Sequence, residues 1–425
     1  MRHALIVIAA VAAIAACASP GLPPGGPTVS AFPRVIATLP ETGAVNVRPN
    51  KVLVRYDDVI GEQAAGGPLA RNVLISPWDG EPRVEWRRTG ISVQPRTNWR
   101  ANTAYTITVL PGLSDLRGQQ IPYGYVLRFS TGATIPTSVI RGVAFDWIQN
   151  RALPKATILA IDTKDTSIVH LTVADSTGRF ELGAVPAGRY LMQAIDERTP
   201  NRALDPREPW DTATITLLDS ARTDLYVFVH DTTPARITEL RMLDSASIAI
   251  VLDKPLQPGV TIPGTAARVL GADSLPVVVR SIVTGADERA ARATADSLAR
   301  TRDTSLRTPD ANVPPRRTID PMRRLDTLPV VAVPVPTRPA PSAELVIKLQ
   351  RPLPVGATYR ITLTGLRNLL GNSGTTSRLL IVPKPAPADT TATTPSTRPP
   401  AQRRDSTTRP IPTSTQPIAP LRPPR

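Results

Sequence analysis

Proline is so frequent in this chain that long helices and central sheet strands are excluded over much of its length. The sequence carries 47 prolines in 425 residues, about twice the usual share of roughly 5%. Proline fixes φ, has no amide hydrogen, and breaks both helix interiors and inner strands. Short strands joined by turns remain, together with extended proline-rich segments that cannot pack a core. Aromatics are only 4% and hydrophobic residues 41%, so the cores must be small and built from Val, Leu and Ile. The length suits roughly two to four domains of about 100–200 residues.

The formal net charge is +15, carried mostly by arginine. No block of about five like charges exists, and no aromatic-basic stacking motif accompanies the charge. Nucleic acid is therefore not the expected partner. Anionic surfaces, such as lipid headgroups or cell-wall polymers, fit a charge spread along the chain. Cys17 is the only cysteine, which excludes a disulfide framework and a cysteine-based metal site.

The N-terminus sets the compartment. Met1-Arg2-His3 is basic, and Ala4 to Ala16 is an unbroken apolar run. That run is shorter than the ~20 residues that span a bilayer and suits a signal-peptide core. It ends Ile14-Ala15-Ala16-Cys17, which resembles a bacterial lipobox. The resemblance implies a signal peptide over 1–16, cleavage before Cys17, and acylation of Cys17 with diacylglycerol and, typically, a further fatty acid such as palmitate. Several acyl chains anchor stably where one is marginal. An ordinary secretory leader with a chance cysteine is the alternative. Ala18 is not the aspartate associated with inner-membrane retention, so the outer membrane is favoured in a two-membrane envelope. Residues 17–33 read as a flexible tether.

Residues 34–132 show short runs rich in β-formers, with Tyr105, Ile107 and Val109 alternating with Thr106 and Thr108. That is the period of a half-buried strand. Turn signals fall between the runs, as at Pro40-Glu41-Thr42-Gly43 and Trp78-Asp79-Gly80, and short strands at this spacing predict a sandwich. The segment resembles the SbsA-type bacterial Ig-like domain through Leu39–Val47, Val52–Tyr56, Asn102–Ile107, Asp115–Gly118 and Arg128–Gly132; Tyr56-Asp57 stands where Phe-Asp is usual. Residues 138–230 are similar to carboxypeptidase-regulatory-like (transthyretin-like) domains through Ile140–Val143, Ala156–Ile158, Asp175–Phe180 and Val185–Tyr190. Tight turns precede Phe180 and Tyr190, which are expected to share one core. This class is non-catalytic. Residues 234–383 read as a diverged Ig-like sandwich with strands at 237–243, 247–252, 343–349, 359–363 and 378–382. A long insertion, 284–341, interrupts it; 287–299 is expected to form a weak, solvated helix and the remainder to be disordered. Residues 384–425, rich in Pro, Thr, Ser, Ala and Arg, are expected to form an extended tail. The predicted architecture is all-β: tandem β-sandwiches with a proline-rich insertion and tail.

Patterns that carry chemistry are missing. No nucleophile elbow, phosphate loop or zinc helix is present. His170 and His230 lie in or at the end of strand-like runs and read as strand-edge histidines. Trp78, Trp86 and Trp99 are close in sequence, with core or edge packing expected. One acidic loop stands out. Asp196, Asn201, Asp205 and Glu208 resemble a calcium loop seen after the same strand in related lipoprotein domains, and calcium takes six to eight oxygens. Arg198, Pro200, Arg202 and Arg207 interrupt the pattern, and salt bridges within the loop are the competing reading. Catalytic residues and other cofactors are not predicted. The expected role is a lipid-anchored envelope protein acting as a structural spacer or as a scaffold for cell-wall (peptidoglycan) or envelope-protein contacts. The alternative is an accessory binding subunit of a carbohydrate-active or other envelope enzyme system. The sequence leaves the oligomeric state open.

Overall fold

Alternating residues become strands whose inner faces meet in three successive cores. The structure, a computed structural model, describes residues 31–64, 67–115, 117–305 and 334–384. The leader, Cys17, the tether up to residue 30, most of the insertion and nearly all of the tail lie outside the described residues; the end of the expected tether is instead held, because Phe32 packs against the first core and Tyr123 OH donates to the Pro33 carbonyl. The described residues up to Val382 form one compact unit.

The first sandwich holds β1 (Val35–Leu39), β2 (Val52–Tyr56), β3 (Ile60–Ala64), β4 (Val73–Ser76), β5 (Arg83–Arg87), β6 (Gly90–Gln94), β7 (Ala104–Val109), β8 (Leu113–Asp115) and β9 (Tyr125–Ser130). One sheet runs β1-β2-β6-β5 and the other β4-β7-β9, with β3 and β8 paired beside them. Val52, Val54, Tyr56, Ile91 and Val93 of the first sheet meet Ile75, Tyr105, Ile107, Val109, Leu127 and Phe129 of the second. Each such side chain contributes roughly 1.5–3 kcal/mol by leaving water. Trp99 packs edge-on against Tyr105 and Phe129, with ring centroids 4.8 and 5.2 Å away.

The second sandwich holds β10 (Val139–Asp146), β11 (Arg151–Ala152), β12 (Thr157–Asp162), β13 (Val169–Val173), β14 (Arg179–Gly183), β15 (Gly188–Ile195), β16 (Trp210–Leu217), β17 (Ser220–Arg222) and β18 (Leu225–Val227). Strand β10 pairs antiparallel with β11 and β14 and parallel with β17 and β18. The facing sheet runs β13-β12-β15-β16. Phe180 and Tyr190 enter β14 and β15 and share one core, as expected. The turn before Phe180 is fastened by Asp175 Oδ1, which accepts the amides of Thr177 and Arg179. Tyr190 OH donates to the Pro186 carbonyl at 2.8 Å. Gly142 is required by close approach: a Cβ there would lie 1.7 Å from the Thr223 carbonyl oxygen.

The third sandwich holds β19 (Ile237–Asp244), β20 (Ser247–Leu256), β21 (Ala267–Gly271), β22 (Pro276–Val277), β23 (Val279–Thr284), β24 (Ser342–Leu349), β25 (Thr358–Arg367) and β26 (Ser373–Ile381). Sheet β19-β20-β24-β23 faces sheet β22-β21-β25-β26 around Ile248, Ile250, Val269, Leu345, Ile347, Ile361 and Leu363.

The insertion differs from expectation at both ends. A helix, α1 (Gly285–Ser305), follows β23 directly and extends beyond both ends of the predicted span. Thr284 caps it, accepting the Asp287 amide through Oγ1 at 3.1 Å, and the same hydroxyl donates to Asp287 Oδ2 at 2.7 Å, so one orphan amide of the first turn is satisfied. Charge rather than an apolar stripe holds the helix down. Glu288, 7% exposed, pairs with Arg292 at 2.8 Å and with Lys348 of β24 at 2.6 Å. Glu344 of β24 takes both Arg241 and Arg289. At the other end, residues 334–341, expected to be disordered, lie against the second sandwich. Their hydrogen bonds to that sandwich are the physical reason for the difference.

Candidate functional site: the module junctions

Strand β4 is buried on both faces. Val73 and Ile75 point into the first core, while Leu74 enters a separate apolar cluster with Leu159, Leu171 and Ile195 of the second sandwich. Trp78, Leu110, Ile161, Val169, Val173 and Trp210 surround that cluster. The outer face of β13 and β12, with the Ile195–Trp210 end of β15 and β16, is therefore covered by the first sandwich instead of by water. Polar contacts fix the register. Trp78 N–H donates to the Val169 carbonyl at 2.7 Å, and Leu171 N–H donates to Ser76 Oγ at 3.2 Å. Arg100 reaches the side chain and carbonyl of Ser167 at 3.2 and 3.0 Å.

At the centre of this junction Ser76 Oγ lies 3.3 Å from His170 Nδ1. Both residues are buried, at 4% and 3% exposure, and His170 Nε2 has no hydrogen-bond partner. Burial pushes the imidazole down to about 4, against a smaller opposing pull from Asp162. Ser76 and His170 thus tie two strand edges together inside the junction. His230 closes a second stack: its ring lies 3.7 Å from that of Trp210 and 4.2 Å from that of Phe228, with burial lowering its pKa.

The second junction joins the second and third sandwiches. Val143, Phe145, Trp147, Tyr226 and Phe228 form an aromatic cluster on strands β10 and β18 and just beyond them, with Leu369 of the third sandwich against it. Residues 334–341 strap across this cluster. Trp147 Nε1 donates to the Pro339 carbonyl at 2.9 Å. The amides of Thr337 and Arg338 both donate to Tyr226 OH, at 3.1 and 3.2 Å. The Arg338 guanidinium sits 3.7 Å from the centre of the Trp147 ring, a cation–π contact. Beside the strap, Asn368 Nδ2 donates to the carbonyls of Asp231 and Thr233 at 2.9 and 3.0 Å.

The acidic loop after β15 closes on itself. Glu208, 4% exposed, accepts the amides of Arg198 and Thr199 on Oε1 and of Asp205 on Oε2. Burial raises its pKa and those three amides lower it, with a net downward shift. Asn201 Nδ2 lies 3.3 Å from both carboxylate oxygens of Asp205. Asp196 carries a carboxyl raised by burial. Arg202 inserts its guanidinium against Glu197 at 3.0 Å, reaches Thr157 Oγ1 at 3.0 Å, and extends to the Arg71 carbonyl of the first sandwich at 3.4 Å. Among the described residues no group of three or more His, Cys, Asp or Glu is arranged to hold a metal ion. The geometry makes this loop an arginine-centred strut beside the first junction, in keeping with the salt-bridge reading.

The three tryptophans separate. Trp99 packs against the first core and Trp78 lies in the junction. Trp86 is 39% exposed, with Nε1 donating to the Ile60 carbonyl at 3.0 Å. Sequence reasoning missed β4, Trp147, Tyr226 and Arg338 as functional positions. The uninterrupted Val73-Leu74-Ile75 run is the signal that marks a strand buried on both faces.

Residues 30–131 match the family model of a bacterial Ig-like domain. The first sandwich is Ig-like. No curated protein matches the chain. Among solved structures, the N-terminal part of the bacterial S-layer protein SbsC is 17% identical over 45% of this chain and 44% of that one, with a TM-score of 0.19. An L,D-transpeptidase from Mycobacterium smegmatis is 17% identical over 47% of this chain and 77% of that one, at 0.17. BcpA, the major pilin subunit of Bacillus cereus, is 8% identical in a mutant form over 46% and 70%, at 0.18. The chain spans less than half of the S-layer fragment. At these scores none of the three likenesses carries functional weight.

Proposed function

We propose that this chain is a lipid-anchored, non-catalytic spacer or interaction scaffold of the bacterial envelope. The observation that carries the reading is the pair of module junctions. Apolar clusters and directed hydrogen bonds join three sandwiches into one unit, which is what a load-bearing or distance-setting element requires and a flexible string of beads lacks. The lipobox ending at Cys17 supplies the anchor, and Ala18 favours the outer membrane. The second sandwich is read as carboxypeptidase-regulatory-like through the turns before Phe180 and Tyr190. Partners on this reading are the membrane, through the lipid, and peptidoglycan or other envelope proteins, through loops and sheet edges.

Metabolic labelling with a palmitate analogue, followed by fractionation, tests the anchor. Label is expected on the wild-type chain in the outer-membrane fraction and lost in Cys17→Ser. An unlabelled chain, or turnover of an envelope substrate by the purified protein, overturns the proposal. Spin labels on the first and third sandwiches test the spacer role. One narrow distance distribution is expected; a broad one refutes a rigid unit.

Trp86 favours the accessory-subunit alternative. It borders an open concavity of about 370 Å³ that Glu62 and Gln63 also line. Quenching of fluorescence by peptidoglycan fragments, lost in Trp86→Ala, would select that reading.

A further inference from the structure

The cluster under the strap has the construction of a peptide-binding groove. Its aromatic side chains lie outside the core of the second sandwich, in a cluster of their own. Phe145 and Tyr226 stack at 5.3 Å, and Trp147 stands edge-on to Tyr226 at 6.4 Å. The polar ends of Trp147 and Tyr226 are turned to the strap's main chain: an indole N–H to one carbonyl and a phenol oxygen to two amides. Only two strap side chains are engaged by specific contacts, the Thr337 hydroxyl at 3.0 Å from Tyr226 OH and the Arg338 guanidinium over Trp147. The strap sequence is Pro334-Val335-Pro336-Thr337-Arg338-Pro339-Ala340-Pro341. Its prolines preset φ and push the residues before them to extended conformations. An aromatic groove that binds a proline-stiffened main chain and adds one cationic contact is the general mode of proline-rich peptide recognition.

The docked tripeptide is not unique in the chain. Thr337-Arg338-Pro339 recurs as Thr397-Arg398-Pro399 and as Thr408-Arg409-Pro410, both near the C-terminus. We infer that the Trp147–Tyr226 groove is a receptor for Thr-Arg-Pro peptides, filled internally by residues 334–341, and that its partner ligand is the C-terminal Thr-Arg-Pro segment of a second copy of this chain. The inference stands on the groove geometry and the repeated tripeptide and does not rest on the lipid anchor. Because the strap leads directly into β24, it competes at the millimolar-scale effective concentration of a short tether. Groove occupancy by a second copy therefore rises when the strap is weakened or the protein is concentrated. A groove on one copy filled by a tail from the next is a heterologous contact, which builds open chains instead of closed pairs.

A fluorescent peptide covering residues 395–402, titrated into the full-length protein and followed by anisotropy, tests the groove. Arg338→Ala, which weakens the strap, is expected to tighten peptide binding about tenfold over wild type. Adding Tyr226→Phe, which removes the hydroxyl but keeps the ring, is expected to reverse that gain without changing the thermal melt. A peptide with alanine at position 398 is expected to bind at least tenfold more weakly. No binding to Arg338→Ala, or binding indifferent to both the Tyr226 hydroxyl and the peptide arginine, overturns the receptor. Sedimentation velocity tests the partner. Concentration-dependent association of Arg338→Ala is expected, and its loss when Arg398→Ala and Arg409→Ala are added. Association unchanged by those two substitutions, or none at all, overturns the second copy as ligand.

Discussion

Acidification should loosen the second sandwich through one residue. His170 is held neutral because β4, β12 and β15 surround it: Ser76 at its Nδ1, the Tyr190 ring at 6.0 Å, and the Asp162 charge as the opposing influence. Burial lowers its pKa from 6.5 to about 4. In the unfolded chain the ring titrates at its ordinary value. Above pH 6.5 both states are neutral and the full stability is present. Between 6.5 and 4 the unfolded chain binds a proton that the folded chain refuses, so stability falls with pH. Below about 4 both states are protonated and the loss is complete. At ~1.4 kcal/mol per unit the total is roughly 3 kcal/mol. Urea unfolding of wild type and His170→Gln at half-unit steps from pH 7.5 to 3.5 measures it, with fluorescence reporting on the junction through Trp78. Glu288 and Glu344, whose pKa values are lowered by paired cations, also destabilise the fold on acidification. They are present in both proteins and cancel in the difference. The wild-type-minus-variant stability should fall by about 3 kcal/mol across that range. A flat difference refutes the assignment of a buried, proton-refusing imidazole.

Three further perturbations probe the same architecture. Gly142→Val places a Cβ 1.7 Å from the Thr223 carbonyl and should prevent the second sandwich from folding, seen as a lost thermal transition while the first sandwich still melts. Leu74→Ala removes a side chain that is 2% exposed and lies between the first two sandwiches. A cost of about 2–4 kcal/mol is expected, and a protease-sensitivity assay should show cleavage at residues 132–138 rising with it. Glu208→Gln keeps the side-chain shape but removes the charge that draws the amides of Arg198, Thr199 and Asp205. Hydrogen exchange at those amides should quicken about tenfold, and titration with calcium should leave the wild-type melting curve unmoved if Arg202 is the strut the geometry describes.

The sequence announces elements with one wet face. Tyr105, Ile107 and Val109 alternate with threonines, and Asp175 through Gly178 spell a hairpin turn, so β7, β14 and β15 are readable from residues alone. Strand β4 is not readable by alternation, because Leu74 serves a different cluster from Val73 and Ile75; only its unbroken apolar run marks it. The middle strands of the third sandwich, β21 to β23, are short; Gly271 ends β21 and Pro276 begins β22. Helix α1 was legible only as weak, since an alanine-rich stripe says nothing about Lys348 and Glu344 waiting on β24. At the acidic loop, residue types point to oxygens for a cation; only coordinates show that Glu208 accepts backbone amides, that Asn201 donates to Asp205, and that Arg202 pairs with Glu197 beside them. The strap was unreadable for a different reason. Its order comes from Trp147 and Tyr226, which lie more than a hundred residues earlier in the sequence and look like ordinary strand aromatics.

The two junctions are built from different chemistry, and the difference has a mechanical consequence. The first relies on Leu74, Leu159, Leu171 and Ile195, side chains that belong to strands also serving the neighbouring cores. Separating those sandwiches exposes apolar surface at about 25 cal/mol per Å² and strips Ser76 and His170 of each other. The second relies on Leu369 against the aromatic cluster and on a strap joined by three side-chain hydrogen bonds to its main chain, one between the Thr337 and Tyr226 hydroxyls, and one cation–π contact, each polar contact worth about 1 kcal/mol net. Water or another peptide can replace such contacts one at a time, whereas nothing replaces a shared core. On the proposed anchoring at Cys17, the stiff junction is the one nearer the anchor along the chain and the exchangeable one follows it. That order suits an element that must stand firm near its anchor and hand its last module to a partner.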